Sequence, residues 1–449
     1  MLTVTASFHF DHLVDFAPAR ADEILRTVPA LPGVFALCGA KTDDQPYLTR
    51  TADLRRRMRR LLDPPESQSK RLNLREKVAR VEYSVTGSEF ESQLVLYHAA
   101  AALFGYAEAR RRLKLHTPYF LRITMTNAHP RVYATNRLSK RGLGEMYGPF
   151  PSRVAAERYS DAVLDLFKLR RCYEDLEPYP EHPGCVYGEM KKCLEPCKMA
   201  CTAEQYTAEA EAVKRFFDTR GESMIAQLAQ ERDEAAAAME FERAAAIHAQ
   251  WQKVKAAAAQ ADWLVRPVPC LRAVVVQAAA AGAEQREEAA LFLLEGGCLS
   301  GPERLSTLGV RAVREQTSVG SSLFAQPLML QAVPLEGEAT ATDSPEERAA
   351  RVLAALQQDV SSTADLALVS DHLSMLRRWY YRPEKQRAGE IYFQNADGSW
   401  PVRKILRGAA RVAIGEPKAM AETDRGAAKA AKERILGEGR VAAADEAAG

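Results

Sequence analysis

Between Arg80 and Thr86 the chain alternates strictly, with Val81, Tyr83 and Val85 on one side and Arg80, Glu82, Ser84 and Thr86 on the other. A period of two predicts a half-buried strand. The apolar run Leu-Pro-Gly-Val-Phe-Ala-Leu-Cys (31–38) predicts another, and beyond the turn residues at 41–44 the segment around Tyr47 predicts its hairpin partner. Helical spacing follows over 52–62, where Leu54, Met58, Leu61 and Leu62 share one face. A further helix is expected to begin near Ser88, with Glu91 at the capping-box position. Ahead of residue 31 the pattern predicts only a short arm with one helix ending near Thr27.

From Ala203 to Lys255 the composition turns to Ala, Glu and Gln, with one break at Thr219–Glu222. Two helices are expected, the second running from about Glu222 to Ala258, with Met224, Leu228, Ala235, Met239, Ala246 and Trp251 forming a stripe near coiled-coil spacing. Leu271–Gln277 reads as a strand, and residues 290–300 as a hairpin turning at Gly296-Gly297. Ser344 followed by Pro345 and an acid at Glu347 marks a helix start. Leu366–Val369 reads as a strand, and an aromatic helix is expected around Trp379, Tyr380 and Tyr381. From Thr423 the chain reads as a mobile tail or frayed helix.

These elements predict an α+β protein. Its segments are an arm (1–30), a small antiparallel sheet flanked by helices (31–110), a cysteine-rich linker module (111–202), a helical hairpin (203–260), a small α/β module (261–422) and a tail (423–449). The 449 residues suffice for two to four cored domains. No basic, apolar leader opens the sequence and no run of about eighteen apolar residues occurs, so a cytoplasmic chain without membrane contact is expected.

The formal net charge of +2 conceals a local imbalance. Between Arg50 and Arg80 eleven cations face only Asp53, Asp63, Glu66 and Glu76, a net +7. Arg50, Arg55, Arg56, Arg57, Arg59 and Arg60 belong to it, and Arg110, Arg111 and Arg112 form a second cluster. Such patches suit a polyanion, although a solvated helix face gives the same pattern. Five of the eight cysteines fall within thirty residues: Cys172, Cys185, Cys193, Cys197 and Cys201. Thiols this dense in a reducing compartment point to ligation of zinc or of an iron–sulfur cluster, since small buried residues need not cluster.

Pro32-Gly33-Val34-Phe35, followed by Tyr47-Leu48-Thr49-Arg50-Thr51-Ala52-Asp53-Leu54-Arg55-Arg56-Arg57, resembles the GIY-YIG nuclease segment, and more narrowly that of the UvrC excinuclease family. His129-Pro130-Arg131-Val132, Tyr147-Gly148-Pro149-Phe150, Leu169-Arg170-Arg171-Cys172 and the Cys185-x7-Cys193-x3-Cys197 spacing extend the likeness in order. Met239-Glu-Phe241-Glu-Arg243-Ala-Ala245-Ala-Ile247 resembles the UVR motif, with His248-Ala249 where the family has Arg-Asp.

The resemblance implies a metal-dependent DNA endonuclease domain acting in nucleotide excision repair. It also implies an iron–sulfur cluster held by Cys172, Cys185, Cys193 and Cys197, with Cys201 as a possible substitute and zinc as the alternative. A UvrB-like partner is implied at Met239, Phe241, Ala245, Ile247 and Trp251. Tyr47 falls on the family's second tyrosine, Arg50 on its lysine and Arg57 on its helix arginine, but Phe35 replaces the first tyrosine and Leu96 the metal-binding glutamate. Phenylalanine exchanges no proton and leucine ligates no magnesium, so impaired cleavage with retained DNA binding is expected. Mg2+ enters only if the site is active. The rival expectations are a working single-incision nuclease and a cluster-bearing scaffold without a DNA role. For the family's RNase H-like nuclease no counterpart is recognised, as Asp365, Asp371 and His372 do not make its pattern.

Overall fold

The computed structural model describes residues 8–41, 44–64, 72–280, 287–310, 343–358, 365–383 and 386–415, so the tail expected from Thr423 lies outside the described residues. Among the described residues three four-stranded antiparallel sheets, each packed on helices, give the expected α+β fold.

The first sheet has the order β1-β4-β2-β3, from β1 (His12–Asp15), β2 (Gly33–Gly39), β3 (Tyr47–Thr51) and β4 (Val78–Val85). The expected arm is thus partly a strand: β1 pairs along β4, and α1 (Ala21–Thr27) follows it. Helix α2 (Leu54–Leu62) buries Leu54, Met58, Leu61 and Leu62, and the Asp53 carboxylate caps it by accepting from Arg56 N at 2.8 Å. Gly33 has to be glycine, because a Cβ there would run into the Ser84 carbonyl and the Leu54 side chain. Ser84 and Thr86, expected to face solvent, are buried. Ser84 Oγ accepts from Asp11 N, and the Thr86 and Ser92 hydroxyls share a hydrogen bond, so both polar groups keep partners.

On the sheet face away from α2 lies α3 (Glu89–Phe104), capped by Ser88, and α4 (Tyr106–Arg112) continues from it. Glu91 does not close a capping box on Ser88 but accepts from Gly87 N at 2.7 Å.

The second sheet, β6-β5-β7-β8, comprises β5 (Tyr119–Ile123), β6 (Val132–Thr135), β7 (Met146–Phe150) and the short β8 (Arg266–Pro267). Helix α5 (Arg153–Leu164) and α7 (Ala203–Thr219) bury Tyr159, Phe216 and Phe217 against it, and the cysteine-bearing loops with the one-turn α6 (Val186–Glu189) lie between those helices in sequence. The second helix expected from Glu222 to Ala258 is two, α8 (Glu222–Ala237) and α9 (Phe241–Ala258). They part at Met239, whose φ of +58° is left-handed.

The third sheet, β11-β10-β9-β12, contains β9 (Arg272–Ala278), β10 (Glu288–Glu295), β11 (Cys298–Ser306) and β12 (Glu390–Phe393). One face (Val274, Val276, Leu291, Leu293) packs on α10 (Pro345–Gln358) and α12 (Val402–Ala413). The other (Ala273, Val275, Phe292, Leu294) packs on α11 (Leu366–Tyr380). Burial on both faces explains why these strands read as continuous apolar runs. The strand expected at Leu366–Val369 is instead the first turn of α11, capped by Asp365.

Among the described residues the largest apolar core draws its buried members from Phe90 through to Tyr380. Phe90, Leu94 and Tyr97 of α3, Phe120 of β5, Phe292 of β10, and Leu373, Leu376 and Trp379 of α11 pack together. Gly87 abuts the backbone of Ala278 and Ala279 so closely that no side chain fits.

Candidate nucleic-acid and cluster sites

Tyr47 opens β3 opposite Leu37 of β2, on the sheet face that carries α2. Its hydroxyl accepts from Arg57 Nη2 at 3.1 Å, and its ring lies 6.2 Å from that of Phe35, which is wholly buried. Arg55 turns the other way, donating to the carbonyls of Val28 at 2.7 Å and Arg26 at 3.3 Å, and so anchors the end of α1. Arg56, Arg59 and Arg60 are the exposed cations of α2.

Arg50 emerges on the opposite face. Its Nη1 lies 3.2 Å from Glu89 Oε1 in the first turn of α3, and Arg382, just past α11, grips the same carboxylate at 2.6 Å and 3.0 Å. Donation by Arg382, seconded by Arg50, holds the Glu89 carboxyl down at about 2 against the opposing effect of burial. Leu96 is also on this face, packed with Val34, Ala36, Leu48 and Ala99. The fold therefore joins Tyr47, Arg57 and Phe35 on one side and Arg50 and Leu96 on the other. The Glu89–Arg382 pair, which sequence reasoning missed, joins residues 293 positions apart.

The second arginine cluster is engaged internally. Arg110 donates to Asp371 at 2.6 Å and to Ser370 at 2.7 Å, and Asp371 also accepts from the Tyr97 hydroxyl at 3.0 Å. Arg111 and Arg112 both bind Glu108, and Arg112 sits 3.8 Å from the centre of the Phe104 ring. His372, buried beside Asp371, accepts from Leu299 N at 2.9 Å through Nδ1.

Two of the motifs around the cysteines meet in space. Arg170 donates to the His129 carbonyl at 3.1 Å, to the Glu174 carbonyl at 3.0 Å and to Cys172 Sγ at 3.6 Å, while Arg131 donates to the Cys172 carbonyl at 3.3 Å. Beyond them the chain turns through left-handed Gly184, Lys191, Glu195 and Met199, and Glu195 N donates to Cys193 Sγ at 3.4 Å. Burial pushes the Cys193 thiol up to about 11, and the sulfurs of Cys185, Cys172 and Cys197 are near enough to add to that rise. Burial raises the Cys201 thiol, with Cys197 near enough to add to the rise, and Cys201 packs against the second sheet's core. The donor set, thiols near enough to influence one another with the Glu195 N–H on one of them, has the chemistry of a soft, thiolate-bound metal or cluster. As the side chains stand, no group of three or more His, Cys, Asp or Glu among the described residues is gathered tightly enough to hold a metal ion.

At the α8–α9 turn Met239 and Phe241 are 77% and 68% exposed, a bare apolar tip. Ala245 is exposed too, whereas Ile247 and Trp251 face the second sheet's core.

Residues 119–216 match the family model described as UvrC/Cho excinuclease, middle domain. The chain is 29% identical over 238 residues to UvrABC system protein C of Serratia proteamaculans, covering 52% of this chain and 38% of that protein. It is 28% identical over 233 residues to the protein of the same name from Actinobacillus succinogenes, with 52% and 38% covered. For that of Acidobacterium capsulatum the figures are 29% over 256 residues, with 54% and 38% covered. The chain thus spans well under half the length of the curated relatives it matches. No solved structure matches. The likeness to the UvrC family read from the motifs is shown by these matches. Among the described residues no helix is long and apolar enough to cross a membrane.

Proposed function

We propose that this chain is a UvrC-like nucleotide-excision-repair protein that binds DNA and a UvrB-like partner, with a GIY-YIG domain that holds nucleic acid and cuts it poorly. The observation that carries this reading is Phe35, wholly buried beside the Tyr47–Arg57 hydrogen bond, where the resemblance calls for a proton-exchanging tyrosine; Leu96, which the resemblance puts at the metal ligand, lies on the opposite sheet face among aliphatic side chains. Exposed Arg56, Arg59 and Arg60 offer phosphate contacts on α2, and the bare tip at Met239 and Phe241 offers the partner an apolar anchor. Cys172, Cys185, Cys193 and Cys197 would hold an iron–sulfur cluster, with zinc as the alternative. The bound group would tie together loops that have no sheet of their own. Absorbance of anaerobically purified protein in the thiolate–iron region distinguishes the two metals.

A nicking assay on supercoiled plasmid with Mg2+ or Mn2+ tests the reading. The expected result is retained, salt-sensitive DNA binding with no nicking above background. The second reading, an active single-incision nuclease, is favoured by the intact Tyr47–Arg57 hydrogen bond. Strong nicking that disappears in Tyr47→Phe would establish it and overturn the first.

A further inference from the structure

A cleft of about 610 Å³ opens where β7 and α5 meet the α7–α8 turn, the end of α9 and the segment leading to Trp263. This volume is typical of small-ligand sites. Arg220 lies in its wall. It occupies the position after α7 where a left-handed residue closes the helix, with φ of +54°, and its N–H bonds back to the Phe217 carbonyl while that of Gly221 bonds to Phe216. Glycine is the usual occupant of such a position, so an arginine there bears backbone strain that ordinary helix termination does not require.

Its guanidinium lies 3.9 Å from the centre of the Trp263 ring, and its Nε and Nη1 are shielded from solvent with no hydrogen-bond partner. Shielded N–H donors without an acceptor are costly, so the arrangement favours an incoming anion that accepts from them. One acid on the wall, Asp262, is already engaged by the Tyr380 hydroxyl and by Trp263 N at 2.7 Å. Glu222 is exposed at the rim, where Lys255 stands 4.7 Å from the centre of the Trp251 ring. Arg266, 5.7 Å from the centre of the Trp263 ring, adds a second guanidinium beside the cleft.

We propose that this cleft binds a phosphate group, with Arg220 donating to its oxygens, Trp263 fixing the guanidinium plane and Lys255 contributing charge at the mouth. The group comes either from a single strand of nucleic acid or from a free nucleotide. The site is separate from the α2 arginines and does not rest on their DNA-binding role.

The full chain is titrated at low salt with inorganic phosphate, a deoxynucleoside monophosphate and a short oligothymidylate, read by tryptophan fluorescence and calorimetry. Saturable binding is expected for the monophosphate or the oligonucleotide, weakened about tenfold by Arg220→Gln, as befits loss of a charge-assisted donor set. Trp263→Phe is expected to remove the fluorescence change, and Arg56→Ala, Arg59→Ala and Arg60→Ala together to leave monophosphate binding intact. Binding of the oligonucleotide alone assigns the phosphate to a strand; equal binding of the monophosphate assigns it to a free nucleotide. Arg220→Lys and Lys255→Ala decide the matter if Arg220→Gln does not fold. Absence of any Arg220- or Lys255-dependent binding among the three ligands overturns the proposal.

Discussion

Glu89 sits between Arg50 and Arg382 and neutralises two cations that would otherwise face a nucleic acid. Its depressed carboxyl keeps the pair ionised at neutral pH; the stability it contributes is present above 4.5 and is lost as pH falls from there toward about 2. Glu89→Gln is expected to free both arginines, tighten non-specific DNA binding and steepen the log–log salt dependence by up to about 2, at roughly one unit per new phosphate contact. An unchanged slope in fluorescence anisotropy would show that neither arginine reaches DNA. The sequence marks residues 50–60 as basic but not which arginines are spent within the fold. Arg55 on main-chain carbonyls and Arg57 on Tyr47 look the same in sequence as exposed Arg56, Arg59 and Arg60.

At the scale of elements, periodicity was readable wherever one face met water and one met the core, as in α2 with its buried Leu54, Met58, Leu61 and Leu62. It failed for the start of α11, read as a strand although the helix expected around Trp379 and Tyr380 is its end: every residue from Val369 to Leu376 is buried and the Asp371-His372 pair interrupts the apolar pattern. Those polar side chains are tolerated inside because Arg110, Tyr97 and Leu299 N meet them, partners that local sequence cannot reveal. The α8–α9 break was hidden for another reason: Met239 is a good helix former in a site that demands a left-handed backbone. Glu240 N bonds to the Ala235 carbonyl and Met239 N to that of Ala236, the paired bonds of a helix end that favours glycine. Met239→Gly is therefore expected to raise stability by about 0.5–1 kcal/mol, measured by urea unfolding. Loss of the exposed thioether is expected to weaken capture of a UvrB-like partner in the same variant. Stability that falls would mean that the Met239 side chain packs on the folded chain.

At the scale of the molecule, one core unites α3 and α4, the second sheet and the third sheet, and two imidazoles lie beside this junction, their ring centres 5.8 Å apart. Burial depresses His98 to about 4 and His372 to about 3, the latter also feeling the charge of His98. Both are neutral when folded, whereas the unfolded chain takes up protons below 6.5, so the stability they allow is complete above 6.5 and declines as pH falls toward 4 and 3. The urea midpoint is expected to drop steadily between pH 6.5 and 4, and His98→Leu is expected to flatten that drop; an identical profile in the variant would exclude His98 as its source. The contact between Arg110 and Asp371, 261 residues apart, also bears on how the chain is made. At about 5–20 residues per second, a ribosome that has released α4 needs roughly 13–52 s more before α11 emerges to cover it. Throughout that interval Phe90, Leu94 and Tyr97 lack the cover of Leu373, Leu376 and Trp379, so the nascent N-terminal third is expected to expose apolar surface to chaperones and proteases until α11 has emerged.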